Sequence, residues 1–248
     1  MQTTSRKVAD RMKPIRMPIH GPLEAATFIQ RPNRFLAQVE VRGKKVWAHV
    51  PDPGRLNELL LPRASVYVQK HPRGTRKTRY SMVMVQHGET LISINSQLPN
   101  RFARFCFDHQ LLSQWIGWEV VRPEITLGES RFDFMLKRGR HEKIVEVKSV
   151  TLVEDGIARF PDAVTSRGAR HVRHLADLIE GRRSCAILFL IQRPDAVSFE
   201  PHWGRDPVFA EALLKAHRAG VEVLVTTAHL STQWMWLGKT ITANLEPD

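Results

Sequence analysis

Three charged residues interrupt stretches that otherwise have the apolar pattern of β-strands. Asp133 stands between Phe132 and Phe134, and Glu146 and Lys148 alternate with valines in the segment 143–148. Burying an ionised group costs several kcal/mol unless it is paired or binds a metal. Neighbouring carboxylates also raise each other's proton affinity, and a hard divalent cation such as Mg²⁺ or Mn²⁺ relieves that repulsion through oxygen ligation. The pattern therefore predicts a metal-binding carboxylate pair.

Lys148 lies two residues beyond Glu146, so its side chain points to the same face of the strand. An ammonium group there can neutralise a phosphate or position a water molecule for in-line attack on phosphorus. Asp133 followed by Glu146-x-Lys148 resembles the arrangement of the PD-(D/E)xK phosphodiesterases, in which these residues are catalytic. The alternative is a structural Asp/Glu/Lys network that joins two strands.

The histidines and cysteines do not have the spacing of a zinc site. Cys106 and Cys185 lie in apolar surroundings and are expected to be reduced core residues. His171 and His174 are one helical turn apart, but no further ligand lies nearby in the sequence.

A mixed α/β arrangement is predicted to position the charged residues. Strands at 131–136 and 143–148 are expected to pair as a hairpin, and apolar runs predict further strands at 185–191 and 221–226. Apolar spacing near 3.6 residues predicts helices at 100–115 and 168–181, and Asp206 is expected to cap a third helix that ends before Gly220. Strands that alternate with helices indicate a sheet covered on both faces.

Positive charge is concentrated in the N-terminal part of the chain. The protein has 248 residues and a net charge of +12; residues 1–100 carry 17 basic and 6 acidic side chains, whereas the remaining 148 carry 20 and 19. This asymmetry predicts a polyanion-binding part, and nucleic acid is the commonest polyanion. The alternative is a basic surface that only aids solubility or touches acidic lipid.

The same N-terminal part is predicted to form a small barrel. Residues 23–95 contain five or six short segments with period-two alternation, and Arg42-Gly43-Lys44 predicts a hairpin turn between two of them. Short strands without a long helical period indicate a closed or partly open barrel. Basic loops at 30–34 and 70–79 and a turn around Gly54 supply the candidate nucleic-acid-binding residues Arg31, Arg34, Arg55, Arg73, Arg76, Lys77 and Arg79.

Several longer strings resemble the sugar fermentation stimulation protein (SfsA) family, in the expected order. They are found at 34–37, 51–54, 130–134, 146–152 and 160–168. The resemblance implies a mixed α+β protein with a basic leader at 1–19, an oligonucleotide-binding (OB-like) barrel at 20–96 and a restriction-endonuclease-like α/β domain at 97–248. It also implies non-specific DNA binding and a regulatory role in sugar metabolism.

The resemblance further assigns roles to individual residues. Asp133 and Glu146 become metal ligands, and Lys148 becomes the catalytic or phosphate-facing cation. Asp162, Thr165 and Arg167 are expected to line the same cleft, where Thr165 and Arg167 donate to phosphate oxygens. An ordinary loop leading into the 168–181 helix is the alternative for these last three residues.

The chain departs from the family pattern at three places. Phe105 occupies a position where the family usually has a glutamate that assists metal binding, Val83 lies where another glutamate tends to occur, and Asp52-Pro53 replaces Asn-Thr/Ser. These departures bear on catalysis more than on DNA binding.

Three functions are consistent with the sequence. They are a non-specific DNA-binding protein, a Mg²⁺- or Mn²⁺-dependent nuclease, and an RNA or single-strand binder without catalysis. The chain has no apolar run of roughly 18 residues and a polar start, so we expect a cytoplasmic protein without a membrane partner. Base specificity and oligomeric state are left open.

Overall fold

A closed five-stranded barrel forms the N-terminal part of the computed structural model, which describes residues 14–19, 21–72, 74 and 77–247. Its strands are β2 (Leu23–Asn33), β3 (Leu36–Val41), β4 (Lys44–His49), β5 (Ser65–Lys70) and β6 (Tyr80–His87), and β7 (Thr90–Ser93) pairs with β6. Neighbouring strands are antiparallel in the order β4-β3-β2-β5-β6-β7, and a short parallel pairing of β4 with β6 closes the barrel.

Alternation of side chains explains the barrel. Ala37, Val39 and Val41 all point into its core, where Val66 and Val68 meet them. The β3–β4 turn uses positive φ at both Arg42 and Gly43, as a tight hairpin requires. The predicted barrel and its turn are therefore confirmed.

A seven-stranded sheet forms the C-terminal part, in the order β1-β16-β15-β13-β10-β9-β8. Its strands are β1 (Arg16–Pro18), β8 (Glu119–Leu127), β9 (Ser130–Arg138), β10 (His141–Val150), β13 (Arg183–Ile191), β15 (Glu222–Leu230) and β16 (Trp234–Thr240). The three central strands β10, β13 and β15 are parallel, and β9 and β10 form the predicted antiparallel hairpin.

Helices cover both faces of this sheet. α1 (Leu98–Asp108) packs on one face against Val145, Val147 and Leu188, whereas α2 (Ser166–Asp177) and α3 (Pro207–Arg218) pack on the other. Because β13 is central and covered on both sides, its apolar run is almost continuous. Cys106 and Cys185 are both free and buried, as expected.

Some elements differ from the sequence expectations. The helix predicted to reach residue 115 ends at Asp108, because Gln110 adopts a positive φ of 52° and the chain turns before a short 3-10 helix at Ser113–Trp115. The second helix runs from Ser166 to Asp177 rather than from 168 to 181, since Thr165 caps it. β1 lies within the predicted leader, and leader residues 1–13 lie outside the described residues.

A small second sheet was also not anticipated. It consists of β11 (Val153–Glu154), β12 (Ile157–Phe160), β14 (Ser198–Pro201) and β17 (Thr242–Ala243), in that order. Within the described residues, no helix combines the length and apolar character needed to cross a membrane.

Candidate active site

The β9–β10 hairpin opens at Asp133. The ladder runs from Arg138↔His141 to Phe134↔Val145 and stops there, although β10 continues to pair with β13 as far as Val150. The Val147 amide, no longer in the ladder, donates instead to Asp133 Oδ2 at 2.7 Å. The Asp133 carboxylate thus takes the place of a backbone carbonyl of β9 as the acceptor for β10.

Two further observations fix Asp133 at the opening. Asn100 at the start of α1 donates its side-chain amide to Asp133 Oδ1 at 2.5 Å. Phe132 packs in the core on the α2 side while Phe134 packs on the α1 side, so the usual alternation of side chains breaks at Asp133. The sequence pattern did not reveal Asn100, because the contact spans 33 residues.

Glu146 lies on the opposite face of β10 from Val145 and Val147, facing α2. Its Oε1 accepts hydrogen bonds from Lys148 Nζ at 2.5 Å and from His171 Nδ1 at 2.9 Å. Its Oε2 is buried and has no hydrogen-bond partner among the described residues. A buried acceptor without a partner is costly, so this oxygen calls for a ligand that the protein itself does not supply.

A chain of donors orients Glu146 from α2. The Nε–H of Arg167 donates a hydrogen bond to His171 Nε2 at 3.4 Å. Because Nε2 is the acceptor, Nδ1 carries the ring proton and donates the hydrogen bond to Glu146. His171 itself is only 2% exposed. The sequence showed His171 merely as half of an incomplete zinc pair, whereas the fold brings it to the carboxylate.

The two carboxylates have pKa values shifted in opposite directions. Burial, and then the nearby Glu146 charge, raises the pKa of Asp133 to about 6. Burial also opposes ionisation of Glu146, but the hydrogen bond from His171 and the attraction of Lys148 outweigh it and lower its pKa. Relative to the free side chains, the ionised form is therefore disfavoured at Asp133 and favoured at Glu146.

The residues fit a hard divalent cation better than zinc. The pair offers carboxylate oxygens, including the unpartnered Oε2 of Glu146. Throughout the described part of the chain, no group of three or more His, Cys, Asp or Glu side chains is placed to hold a metal. Mg²⁺ favours one or two carboxylate ligands, with water and phosphate oxygens in the remaining positions of its coordination shell.

A cavity of 420 Å³ contains these groups and lies between the barrel and the sheet. Asp133, Glu146 and Lys148 line one wall together with Thr165 and Arg167, as predicted. The opposite wall comes from the barrel side, through Asp52, Pro53, Gly54 and Ser96. The residue types at 51–54 predicted a turn, but not that this turn faces the carboxylates.

Asp162 joins the two walls of the cavity. Its Oδ2 accepts from the Arg55 backbone amide at 2.9 Å, and its carbonyl accepts from Arg205 at 2.9 Å. A side chain at Gly54 would place its Cβ 2.4 Å from Asp162 Oδ2, so the close approach requires glycine.

The N-terminus of α2 closes the site beside Arg167. Thr165 caps the helix by accepting from the Gly168 amide at 3.0 Å, and its own amide donates to Asp206 at 2.7 Å. Asp206 also caps α3 as predicted, through the Phe209 amide at 3.0 Å. The hydroxyl proton of Thr165 remains available to a ligand in the cavity.

The predicted basic residues of the barrel fall into separate groups. Arg31 donates to the backbone carbonyls of Arg34, Asp52 and Arg55, and thus supports the turn at 51–55. Arg34 and Arg55 line a groove beside the cavity. Lys77 and Arg79 belong to the 70–79 loop and do not line the cavity, and Arg73 and Arg76 lie outside the described residues.

Phe105 provides no polar group to the site. It lies on α1 between Phe102 and His109, with ring centroids 6.2 Å and 4.0 Å away. Within the described residues, the polar side chain that α1 contributes to the cavity is Asn100.

Comparison with known proteins gives consistent matches over both parts of the chain. The family profile described as "Sugar fermentation stimulation protein RE domain" matches residues 97–234, and that described as "SfsA N-terminal OB domain" matches residues 29–94. These matches confirm the predicted fold class, an OB barrel followed by an α/β domain of the RE type.

Curated proteins and a solved structure are similar along most of their length. The "Sugar fermentation stimulation protein homolog" of Desulforamulus reducens is 42% identical over 221 residues, which cover 89% of this chain and 92% of that protein. The homolog of Moorella thermoacetica is 44% identical over 207 residues, covering 83% and 89%. The structure of Pyrococcus furiosus SfsA in complex with Ca²⁺ has a TM-score of 0.84 and 28% identity, covering 94% of this chain and 99% of that one.

Proposed function

We propose that this protein, which belongs to the sugar fermentation stimulation protein family, binds DNA and cleaves phosphodiester bonds with a divalent cation. One observation carries the proposal. The buried Oε2 of Glu146 has no partner in the described structure, and the Glu146 residue lines a cavity together with Asp133 and Lys148. A carboxylate oxygen in that state is a ready cation ligand.

Asp133 and Glu146 would hold the cation, and Mg²⁺ or Mn²⁺ is the expected ion. When bound, it would polarise a phosphate oxygen and lower the pKa of a water molecule. The Ca²⁺ complex of the Pyrococcus furiosus relative supports a divalent site in this fold.

The chain's own side chains supply the remaining chemistry. Lys148 donates to Glu146 and lines the cavity, so its other ammonium protons can orient the attacking water or bind a non-bridging phosphate oxygen. Arg167 and the Thr165 hydroxyl line the same space and can donate to the phosphate. These fixed donors stabilise the negative charge that grows on phosphorus oxygens during attack.

The charge distribution supports DNA as the polymer. The excess of positive charge falls in residues 1–100, and the barrel built from most of these residues forms one wall of the cavity. Contacts with phosphates carry no sequence information, so we expect binding without base specificity. A regulatory role in sugar metabolism, as the relatives' name suggests, would use this DNA binding.

Cleavage of DNA by the purified full chain with Mg²⁺, Mn²⁺ or EDTA tests the proposal. We expect metal-dependent cleavage that Asp133→Asn and Lys148→Ala each reduce at least about 100-fold, because each removes a group acting on the reacting phosphate. Asp177→Asn and Lys215→Ala, at exposed positions on α2 and α3, are the matched controls and should cleave normally. Cleavage that survives both site substitutions would show that another protein or another site is responsible.

A second candidate is a DNA-binding scaffold without catalysis. The observation that favours it is Phe105, which stands where the family usually has a glutamate and leaves α1 without a carboxylate at that position. This candidate predicts salt-dependent DNA binding and Ca²⁺ or Mn²⁺ binding, but no cleavage with any metal. The same cleavage assay therefore separates the two.

A further inference from the structure

A groove on the barrel lies directly beside the cavity. It has a volume of 660 Å³ and runs between the β2–β3 turn and the segment 55–62. Arg31, Arg34 and Arg55 line it, and Phe28, Leu60 and Leu61 provide its apolar surface. We call it the arginine groove. No acidic residue is among those that line it.

The arginine groove and the cavity share one loop as their common wall. Gly54 lines the cavity, and the next residue, Arg55, lines the groove. Arg31 fixes this loop from the groove side through the carbonyls of Asp52 and Arg55, and Asp162 fixes it from the other side through the Arg55 amide. The cavity and the groove therefore adjoin at residues 54 and 55, and a polymer bound in the cavity can continue into the groove.

Two guanidinium groups in the groove have no counter-ion. The side chains of Arg34 and Arg55 are exposed and make no hydrogen bond or ion pair with the residues that the structure describes. Some exposed arginines, such as Arg42 and Arg218, are by contrast paired with glutamates. Unpaired guanidinium groups beside a phosphodiester site are suited to neighbouring phosphates.

The apolar part of the groove favours an unpaired strand. Leu61, which lines the groove, is 53% exposed. Phe35 does not line the groove itself, but it follows the lining residue Arg34 in the chain and is 55% exposed. In a duplex the base faces are stacked inside and cannot reach such side chains, whereas an unpaired base can lay its face on them. Phosphate-binding arginines next to exposed apolar side chains therefore match a single strand better than a duplex.

We propose that the arginine groove binds a single strand of DNA that continues from the nucleotide in the cavity. The substrate is then DNA with an unpaired segment next to the reacting phosphate, as in a single strand, a flap or a frayed end. This inference rests on the proposed function, because it places the strand relative to the phosphodiester site.

Binding by the full-length Asp133→Asn protein tests the inference without cleavage. Fluorescence anisotropy would compare a labelled single-stranded oligonucleotide with a duplex of the same sequence, in Ca²⁺ at fixed salt. We expect Arg34→Gln combined with Arg55→Gln to weaken single-strand binding by roughly tenfold or more and to affect duplex binding less. Arg140→Gln combined with Arg182→Gln removes the same charge at exposed positions near the start of β10, and should leave the preference unchanged.

A second substitution separates stacking from charge. Phe35→Ala should weaken single-strand binding roughly fivefold or more without changing its salt dependence, because it removes a stacking surface but no cation. Equal losses for single strand and duplex in the arginine variant, or no loss with Phe35→Ala, would overturn the groove assignment while leaving DNA binding intact. Tighter binding of a single-stranded RNA would overturn the choice of DNA, and no binding of any DNA would overturn the proposed function itself.

Discussion

Among the described residues, Glu146 has two donors on one carboxylate oxygen and none on the other. Lys148 and His171 both bond Oε1, so Oε2 is left for a cation while the carboxylate cannot rotate freely. Hydrogen bonds of this kind orient a ligand before the metal arrives. We therefore regard His171 as a positioning residue for Glu146.

Substitution of His171 tests this role. His171→Leu should weaken Ca²⁺ or Mn²⁺ binding, measured by calorimetry at neutral pH, about 10-fold or more, because the donor to Glu146 is lost. His171→Asn keeps an amide donor near the position of Nδ1 and should recover much of the affinity.

His174→Leu is the matched control for that experiment. His174 lies on the same helix and also packs on Phe132, with ring centroids 5.5 Å apart. We expect normal metal affinity for this variant. If all three variants lost affinity alike, or lost only thermal stability, His171 would be a packing residue.

Two elements form the site by coming together across the chain. The pairing of β9 with β10 ends beside Asp133, which leaves room for its carboxylate. The barrel turn at 51–55 lies across from this carboxylate and is joined to the α/β part by the Arg55–Asp162 hydrogen bond. Neither element makes the cavity alone, because its walls come from both the barrel and the sheet.

Gly54 is the point at which this packing can be tested. A Cβ in Gly54→Ala would lie 2.4 Å from Asp162 Oδ2 and 2.8 Å from Asp52 Oδ1, so either these two carboxylates or the loop must shift, and the Arg55–Asp162 hydrogen bond is disturbed. We expect a loss of roughly 1–3 kcal/mol in the free energy of unfolding, together with weaker DNA binding at the cavity. Chemical denaturation and anisotropy would measure these effects.

Gly204→Ala provides the comparison, since an added Cβ there meets no atom within 4 Å and φ is not positive. It should behave like the unsubstituted protein. If Gly54→Ala did the same, the turn would not be held tightly against Asp162.

Elements with a regular pattern were predictable, and those without one were not. Alternating residues such as Ala37 and Val39 predicted the barrel strands, and two apolar runs at 131–136 and 143–148 predicted the hairpin. β8 was missed because most of its side chains are exposed and it contains Pro123, so it lacks a buried face.

Long-range contacts explain what the sequence could not show about the site. Asn100 reaches Asp133, and His171 reaches Glu146, across 33 and 25 residues. No local spacing encodes such pairs. The division of the predicted basic residues into Arg31, which supports a loop, and Arg34 and Arg55, which face a groove, likewise depends on the fold.

The molecule as a whole joins two different surfaces at one cavity. Positive charge is concentrated in residues 1–100, most of which form the barrel, while the carboxylates lie on the nearly neutral part that forms the sheet. This arrangement gives affinity for a polyanion without placing the excess cations around the carboxylate pair. The account therefore depends on a cation binding at Asp133 and Glu146.

Anomalous diffraction from crystals soaked in Mn²⁺ tests that claim most directly. We predict a peak bonded to Glu146 Oε2 and to the Asp133 carboxylate, at an oxygen-to-metal distance of about 2.0–2.6 Å, and its loss in crystals of Glu146→Gln. An open cavity without a peak at saturating Mn²⁺, or a peak that persists in Glu146→Gln, would contradict the account.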